Sequence, residues 1–124
     1  MAKIAVLGAG AWGTALALTL TRNGHAVTLA ARRAAHLEEM RRTGENAYLP
    51  GVRLPPEVVL TDQWDEAARG SDATVIAVPS RYARAAIAPI AAAFPMAAML
   101  ISVTKGIEPD SLLTMSRMLA AIAP

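Results

Sequence analysis

The chain has 124 residues, which is enough for one domain with a single core but few for a complete two-domain enzyme. Its formal net charge is +2, from 12 basic and 10 acidic residues, and its aromatic content is 4%, so a basic nucleic-acid surface with stacking rings is excluded. The absence of cysteine excludes a disulfide scaffold and a thiolate metal site and fits a cytoplasmic protein; we predict no metal.

The start of the chain combines a short apolar run, a glycine turn and a helical pattern. Ile4 to Leu7 predicts a buried strand, and the GAGAWG sequence at 8–13 leads into an alanine- and leucine-rich helix that closes at Asn23-Gly24. In this GxGxxG pattern the glycines permit the tight turn, the approach of a pyrophosphate and close packing of the helix. The helix N-terminus adds unpaired N–H groups and a positive dipole end. We predict dinucleotide binding; a glycine turn used only for packing is the alternative.

The rest of the chain alternates between predicted strands and helices. Strands that are apolar throughout are typical of a parallel sheet covered on both faces. Further strands are predicted at 25–31, 58–61, 73–78 and 99–103, and helices at 34–43, 62–69, 81–94 and 110–122. The fold class is therefore α/β, a Rossmann-type, doubly wound, mainly parallel sheet in a single domain over residues 1–124.

Local signals refine these elements. Glu38 and Arg42 are expected to pair one helical turn apart, and Asp62 to cap the helix that follows it. Pro89 is expected to kink the helix at 81–94, and residues 44–56, with three prolines and two glycines, are expected to form a loop.

Residues 85–103 carry no charge and are long enough to span a bilayer in principle. Pro89 and Pro95 interrupt them, and alanine inserts weakly, so a buried helix followed by a buried strand explains them better than a membrane span. The apolar run after Lys3 leads into a glycine turn and not into a cleavage site, so no signal peptide is expected.

The end of the second predicted strand carries information about the cofactor. NAD-binding folds usually place Asp or Glu about 20 residues after the glycines, where it bonds the ribose 2′-hydroxyl. This chain has Ala30-Ala31-Arg32-Arg33 there, and a guanidinium can clamp a 2′-phosphate or stack on adenine. We therefore predict that NADP(H) is favoured over NAD(H); a solvated basic helix start is the alternative.

Three other loop residues are candidates for the site. Trp12, inside the glycine loop, is expected either to cover the pyrophosphate or nicotinamide or to pack against the loop of Tyr48. Ser80, after the fourth strand, either contacts the cofactor or caps the next helix. Lys105, after the fifth strand, lies at the sheet edge where an anionic substrate would meet the nicotinamide; a solvated surface charge is its other reading.

Four segments taken together resemble the bacterial NAD(P)-dependent glycerol-3-phosphate dehydrogenases. They are the segments at 8–17, 46–51, 78–80 and 104–108, which read GAGAWGTALA, NAYLPG, VPS and TKGIE, and the resemblance covers essentially the whole chain. It implies reversible reduction of dihydroxyacetone phosphate to sn-glycerol 3-phosphate, which feeds phospholipid synthesis. It further implies that Lys105 contacts both cofactor and substrate and that the cofactor site includes Gly8, Gly10, Ala11, Trp12, Gly13, Arg32, Arg33, Tyr48 and Lys105.

The resemblance also implies a second, helical domain that holds the principal proton-donating lysine, which we expect beyond Pro124. We therefore expect this chain to be the N-terminal part of a longer enzyme, with a possible homodimer formed through the other domain. Alone, it is expected to bind cofactor and turn over little. Ala11 departs from the family, which often has serine there, so only its backbone N–H can contribute.

Two other functions stay open from the sequence. Another NADP-dependent reductase, such as ketopantoate reductase, shares the opening strand, turn and helix, but is not expected to carry the segments at 46–51 and 104–108. A non-catalytic, nucleotide-sensing Rossmann module suits the length, but leaves the Lys105 segment without a purpose.

Overall fold

A computed structural model describes residues 1–123, which fold around a central parallel sheet. The strands are β1 (Lys3–Leu7), β2 (Ala26–Ala30), β3 (Glu45–Asn46), β4 (Leu49–Arg53), β5 (Val59–Thr61), β6 (Ala73–Ile76) and β7 (Met99–Ser102). The α-helices are α1 (Ala11–Arg22), α2 (Ala34–Thr43), α3 (Trp64–Arg69), α4 (Ser80–Ile87) and α5 (Met115–Ile122), and a 3₁₀-helix spans Ala88–Ala93.

The main sheet has five strands in the order β5-β2-β1-β6-β7, all parallel. β1 lies at the centre, paired with β2 from Lys3↔Ala26 onward and with β6 from Ile4↔Ala73 onward. The strand order reverses across β1, because β2 and β5 extend to one side and β6 and β7 to the other. This confirms the prediction of a doubly wound sheet and puts the reversal beside the glycine loop.

The core consists of two apolar layers, one on each face of the sheet. Successive side chains of a strand point to opposite faces, so β1 contributes Ala5 and Leu7 to one layer and Ile4 and Val6 to the other. Helices α3, α4 and α5 cover the first layer, and α1 and α2 cover the second. Each fully buried large side chain contributes about 1.5–3 kcal/mol of burial free energy, which is why continuous apolar strands settle between two helical layers.

Residues 44–56, predicted as a loop, contain the antiparallel hairpin β3–β4. It pairs Glu45 with Arg53 and Asn46 with Leu49, with an irregular register between Glu45 and Asn46. Pro50 lies within β4 because each strand of a two-stranded ribbon has a free edge, where a missing N–H costs little. The prediction that the whole segment is a loop is therefore wrong for the residues of β3 and β4.

The charge pair predicted on α2 is wrong. Arg41 Nη1 lies 2.9 Å from Glu38 Oε1, and Arg42 Nη2 lies 2.7 Å from Glu39 Oε1, so both pairs are three residues apart. Residues three apart and residues four apart are both neighbours on a helix surface. With pairs three residues apart, each of the two glutamates has an arginine partner.

The predicted cap of α3 is also wrong. Gln63 occupies the N-cap position without a side-chain cap, and Asp62 Oδ1 instead accepts a hydrogen bond from Gln63 Nε2 at 3.1 Å. At its other end α3 stops at Arg69, with Gly70 in the C-cap position.

Two helices are shorter than predicted. α4 ends at Ile87 and passes into the 3₁₀-helix, because Pro89 lacks an N–H and its ring obstructs the preceding turn, which breaks the α-helix and does not merely kink it. α5 begins at Met115 and not at residue 110, because Leu112 has φ +59° and Thr114 provides the cap by accepting from the Arg117 N–H at 3.4 Å. In residues 1–123 no helix is both long enough and apolar enough to cross a membrane.

Candidate functional site

The loops that follow β1, β2, β6 and β7 meet at the carboxyl edge of the sheet. Gly8 N–H donates to the carbonyl of Ala30 at 3.0 Å, which joins the glycine loop to the end of β2. Ala77 N–H donates to the carbonyl of Leu7 at 2.9 Å, which joins the loop after β6 to the end of β1. The crevice outside these strand ends, at the reversal of strand order, is where doubly wound sheets bind ligands.

The glycine loop needs glycine at Gly8 and Gly13 for steric reasons. Gly8 has φ +119°, and a Cβ there would overlap the carbonyl oxygen of Ala77. A Cβ at Gly13 would overlap the carbonyl oxygen of Gly8 and lie 3.3 Å from Ala77 Cβ. By contrast, nothing lies within 4 Å of a Cβ built on Gly10, which lines both of the cavities described below. The loop is therefore packed tightly on its inner side and open where Gly10 faces the crevice.

The first cavity extends from the glycine loop toward α2 and has a volume of about 470 Å³. Arg33 Nη2 donates to the Tyr48 hydroxyl at 3.0 Å across it, and the Arg32 guanidinium carbon lies 5.3 Å from the centroid of the Tyr82 ring. No Asp or Glu is among the residues that line it, as far as residues 1–123 are concerned. The lining consists of Gly8, Ala9, Gly10, Arg32, Arg33, His36, Tyr48, Ala77, Val78 and Pro79. This cavity is cationic and suits an anionic ligand.

The second cavity extends from the glycine loop toward β7 and has a volume of about 610 Å³. Trp12, which is 60% exposed, and Lys105 both line it, whereas Tyr48 lines only the first cavity. Its lining consists of Gly10, Ala11, Trp12, Gly13, Ala77, Val78, Pro79, Ser80, Val103, Thr104 and Lys105. Ser80 is the first residue of α4 and makes no capping hydrogen bond, so the prediction that it caps this helix is wrong; Pro79, with extended backbone angles, holds the N-cap position.

The Lys105 loop is held from two sides. The Thr104 hydroxyl donates to the Val78 carbonyl at 2.7 Å, which ties the loop to the end of β6. On the other side Arg84 donates to both carboxylate oxygens of Glu108, at 2.6 and 2.8 Å, and Ser111 also donates to this carboxylate. The hydrogen bonds from Arg84, and secondarily that from Ser111, lower the pKa of Glu108 to about 2. Lys105 itself is exposed, at the mouth of the cavity.

All nine residues predicted for the cofactor site lie along these two cavities. Gly8, Arg32, Arg33 and Tyr48 line the first, Ala11, Trp12, Gly13 and Lys105 line the second, and Gly10 lines both. Sequence reasoning missed His36 in the first cavity and Ala77, which lines both cavities together with Val78 and Pro79. The only signal for His36 was its position in the first turn of α2, three residues after the N-cap residue Arg33. No group of three His, Asp or Glu residues that could hold a metal ion is found in residues 1–123.

Comparison with known proteins agrees with this architecture. The sequence model of the family described as "NAD-dependent glycerol-3-phosphate dehydrogenase N-terminus" matches residues 3–124. Among curated relatives, glycerol-3-phosphate dehydrogenase [NAD(P)+] of Geobacter sulfurreducens is 43% identical over 98% of this chain and 37% of its own length. The corresponding enzyme 2 of Lactobacillus delbrueckii subsp. bulgaricus is 45% identical over 97% of this chain and 36% of its own length.

A solved structure with the same fold is that of glycerol-3-phosphate dehydrogenase from Coxiella burnetii. It superposes with a TM-score of 0.88 at 32% identity, covering 96% of this chain and 37% of that chain. The present chain thus spans little more than a third of the length of the relatives that it matches.

Proposed function

The chain belongs to the family of the NAD-dependent glycerol-3-phosphate dehydrogenase N-terminus, and from this premise we propose that it binds NADP(H) or NAD(H) for the reversible reduction of dihydroxyacetone phosphate to sn-glycerol 3-phosphate. One observation carries the proposal beyond family membership. The two cavities share Gly10 and residues 77–79, so they form one trough across the glycine loop, cationic at one end and carrying Lys105 at the other.

The trough fits a dinucleotide lying across the glycine loop. The pyrophosphate is assigned to Gly10 and the start of α1, whose first N–H groups lack intrahelical partners and whose first turn contains no acidic residue. The adenosine is assigned to the first cavity and the nicotinamide to the second. Arg32 and Arg33 line the first cavity and support a preference for NADPH over NADH. In the described part of the chain, no carboxylate lines this cavity that could accept a hydrogen bond from the 2′-hydroxyl of an unmodified ribose.

Lys105 is the residue of this chain that we assign to substrate. When bound, the nicotinamide supplies the hydride that the ketone carbon accepts. An exposed ammonium at the mouth of the second cavity can hold the substrate phosphate or stabilise the developing alkoxide by hydrogen bonding. Thr104 and the Arg84–Glu108 pair hold the loop that presents it.

The remaining features of the whole enzyme are proposed from the family. The chain is the N-terminal cofactor-binding part of a longer protein, whose other part carries the principal proton-donating lysine and forms a homodimer. The relatives, of which this chain spans 35–37%, support the greater length of the whole protein. The enzyme supplies glycerol 3-phosphate for phospholipid synthesis in the cytoplasm, for which the absence of cysteine in the sequence is supporting evidence.

The test is a fluorescence titration of this chain with NADPH and, separately, with NADH. Trp12 is 60% exposed beside the second cavity, whereas Trp64 is buried and donates to the Ala31 carbonyl at 2.9 Å, so Trp12 is the reporter. We expect NADPH to quench the signal more strongly in the wild type than in Trp12→Phe. Arg32→Ala is expected to weaken NADPH binding about tenfold and to leave NADH binding nearly unchanged.

If neither nucleotide bound, the cofactor assignment for this chain would be refuted. Equal weakening of both nucleotides by Arg32→Ala would refute only the 2′-phosphate assignment. Dihydroxyacetone phosphate and ketopantoate, offered with NADPH to a longer chain that includes the remaining family length, separate the proposed activity from that of a ketopantoate reductase.

A further inference from the structure

Glu108, in the loop after β7, is held through its backbone and through its side chain. Its N–H donates to the Leu113 carbonyl at 2.8 Å, and its carbonyl accepts from the Leu112 N–H at 2.8 Å. Its buried carboxylate accepts two hydrogen bonds from Arg84 on α4 and one from the Ser111 hydroxyl. The turn that begins at Glu108 is therefore closed on itself and tied to α4 through one residue.

This turn contains a strained residue. Leu112 has φ +59°, and its side chain is 67% exposed, so burial of the side chain does not offset the strain. A residue other than glycine keeps such a conformation only where its surroundings impose it. Here the Leu112 N–H bonds to Glu108, and Ser111 Oγ accepts from the Leu113 N–H at 3.2 Å. The contacts of Glu108 thus fix the shape of the turn against a cost in backbone strain.

Lys105 precedes this turn and lies between two residues that are themselves fixed. On one side the Thr104 hydroxyl donates to the Val78 carbonyl at 2.7 Å. On the other side Gly106 has φ +95°, and a Cβ built on it would lie 3.4 Å from Oγ of Ser80, the first residue of α4. The backbone of Lys105 is therefore held from both sides, and the second side continues into the turn that α4 anchors.

Arg84 and Glu108 stand apart from the nucleotide site itself. Among the described residues, neither lines either cavity, whereas Ser80, one turn before Arg84 on α4, lines the second. The half-buried guanidinium donates from Nε and Nη2 to the two carboxylate oxygens, an arrangement that fixes direction as well as distance. Any effect of this pair on a ligand must pass through the residues that it holds.

We propose that Arg84 and Glu108 are positioning residues for Lys105, and that their paired hydrogen bonds raise the affinity for the nucleotide without contact between the pair and the nucleotide. The inference rests on the proposed cofactor function and adds to it two residues outside the cavities. A lysine side chain is long and flexible, so the affinity that its ammonium contributes falls further when its backbone is also free to move.

The test is a fluorescence titration with NADPH of the wild type, Arg84→Gln, Lys105→Gln and the variant that carries both substitutions. We expect Arg84→Gln to weaken NADPH binding about threefold and the double variant to bind within about twofold of Lys105→Gln alone, because the double variant has no lysine left to position. Arg84→Lys keeps the charge but not the two parallel bonds, and we expect it to bind NADPH less tightly than the wild type.

Arg42→Gln is the matched control. It also removes an arginine from an ion pair, with Glu39 on α2, and among the described residues this pair lines neither cavity. We expect it to bind NADPH as the wild type does. The melting temperature of each variant is measured as well, and if Arg84→Gln does not fold, Glu108→Gln, which keeps the shape of the side chain, takes its place in the comparison.

Two results would overturn the inference and leave nucleotide binding standing. One is wild-type affinity in Arg84→Gln. The other is a lower melting temperature in Arg84→Gln together with a loss of affinity that multiplies with that of Lys105→Gln in the double variant, as a purely structural role or a long-range charge effect requires. If the wild type itself did not bind NADPH, the proposed function and this inference would fall together.

Discussion

Replacing Asn46 with Ala should destabilise the chain more than its place in a short two-stranded hairpin suggests. The substitution deprives the Ala9 carbonyl and the Thr14 hydroxyl of their donor, and these residues are only 7% and 1% exposed. A buried polar group left without a partner costs about 1–3 kcal/mol, so we expect the free energy of unfolding to fall by about 3 kcal/mol. For a domain of this size that corresponds to roughly 10 °C in melting temperature.

Urea unfolding followed by the fluorescence of the two tryptophans measures this change. Asn23→Ala is the control, because Asn23 is the other asparagine of the chain and is exposed at the end of α1; we expect a change within about 0.5 kcal/mol. A double-mutant cycle with Thr14→Val should give a coupling energy of about 0.5–3 kcal/mol. A loss below about 1 kcal/mol for Asn46→Ala, or no coupling to Thr14, would refute the conclusion that this amide holds the hairpin to α1.

Three further predictions follow from the site. The pKa of Glu108 is about 2 in the folded chain against an ordinary 4.5, so the contribution of this carboxylate to stability is complete above about pH 4.5 and is lost as the pH falls toward 2. In Arg84→Gln the free energy of unfolding should therefore fall less over that pH interval than in the wild type, and an unchanged pH profile would contradict this. Gly8→Ala should lower the free energy of unfolding, measured by urea titration, by about 2–4 kcal/mol, because residue 8 has φ +119° and the new Cβ would overlap the Ala77 carbonyl oxygen. A loss below about 1 kcal/mol would show that the loop can shift. Lys105→Gln should weaken NADPH binding by about three- to tenfold without moving the melting temperature, and unaltered affinity would remove Lys105 from the cofactor site.

The parts of the fold set by local sequence were predictable. The turn from β1 into α1 depends on glycines within six positions, and α2 was predicted with the bounds that the structure shows. Arg32 lines one cavity with the glycine loop and Lys105 lines another with Trp12, as expected from the rule that parallel strands end at one edge of the sheet.

The parts that depend on distant partners were not predictable from composition or spacing. The hairpin in residues 44–56 is anchored by Asn46 to groups 37 and 32 positions earlier, and nothing within the segment indicates that anchor. The contact between Arg84 and Glu108 joins residues 24 positions apart on α4 and on the loop after β7. Such contacts can be identified only from the folded structure, because it is the strand order that brings these loops together.

The central position of β1 has a consequence for the order in which a growing chain can fold. β1 leaves the ribosome before the other strands of its sheet, yet one of its two neighbours, β6, begins at Ala73. At about 5–20 residues per second, the interval lasts roughly 3 to 13 s, during which one side of β1 has no strand to pair with. Gly8 also packs against the Ala77 carbonyl, so the glycine loop reaches its final shape only after that segment has been synthesised. A nucleotide that binds the finished glycine loop therefore stabilises the chain only once β6 is in place.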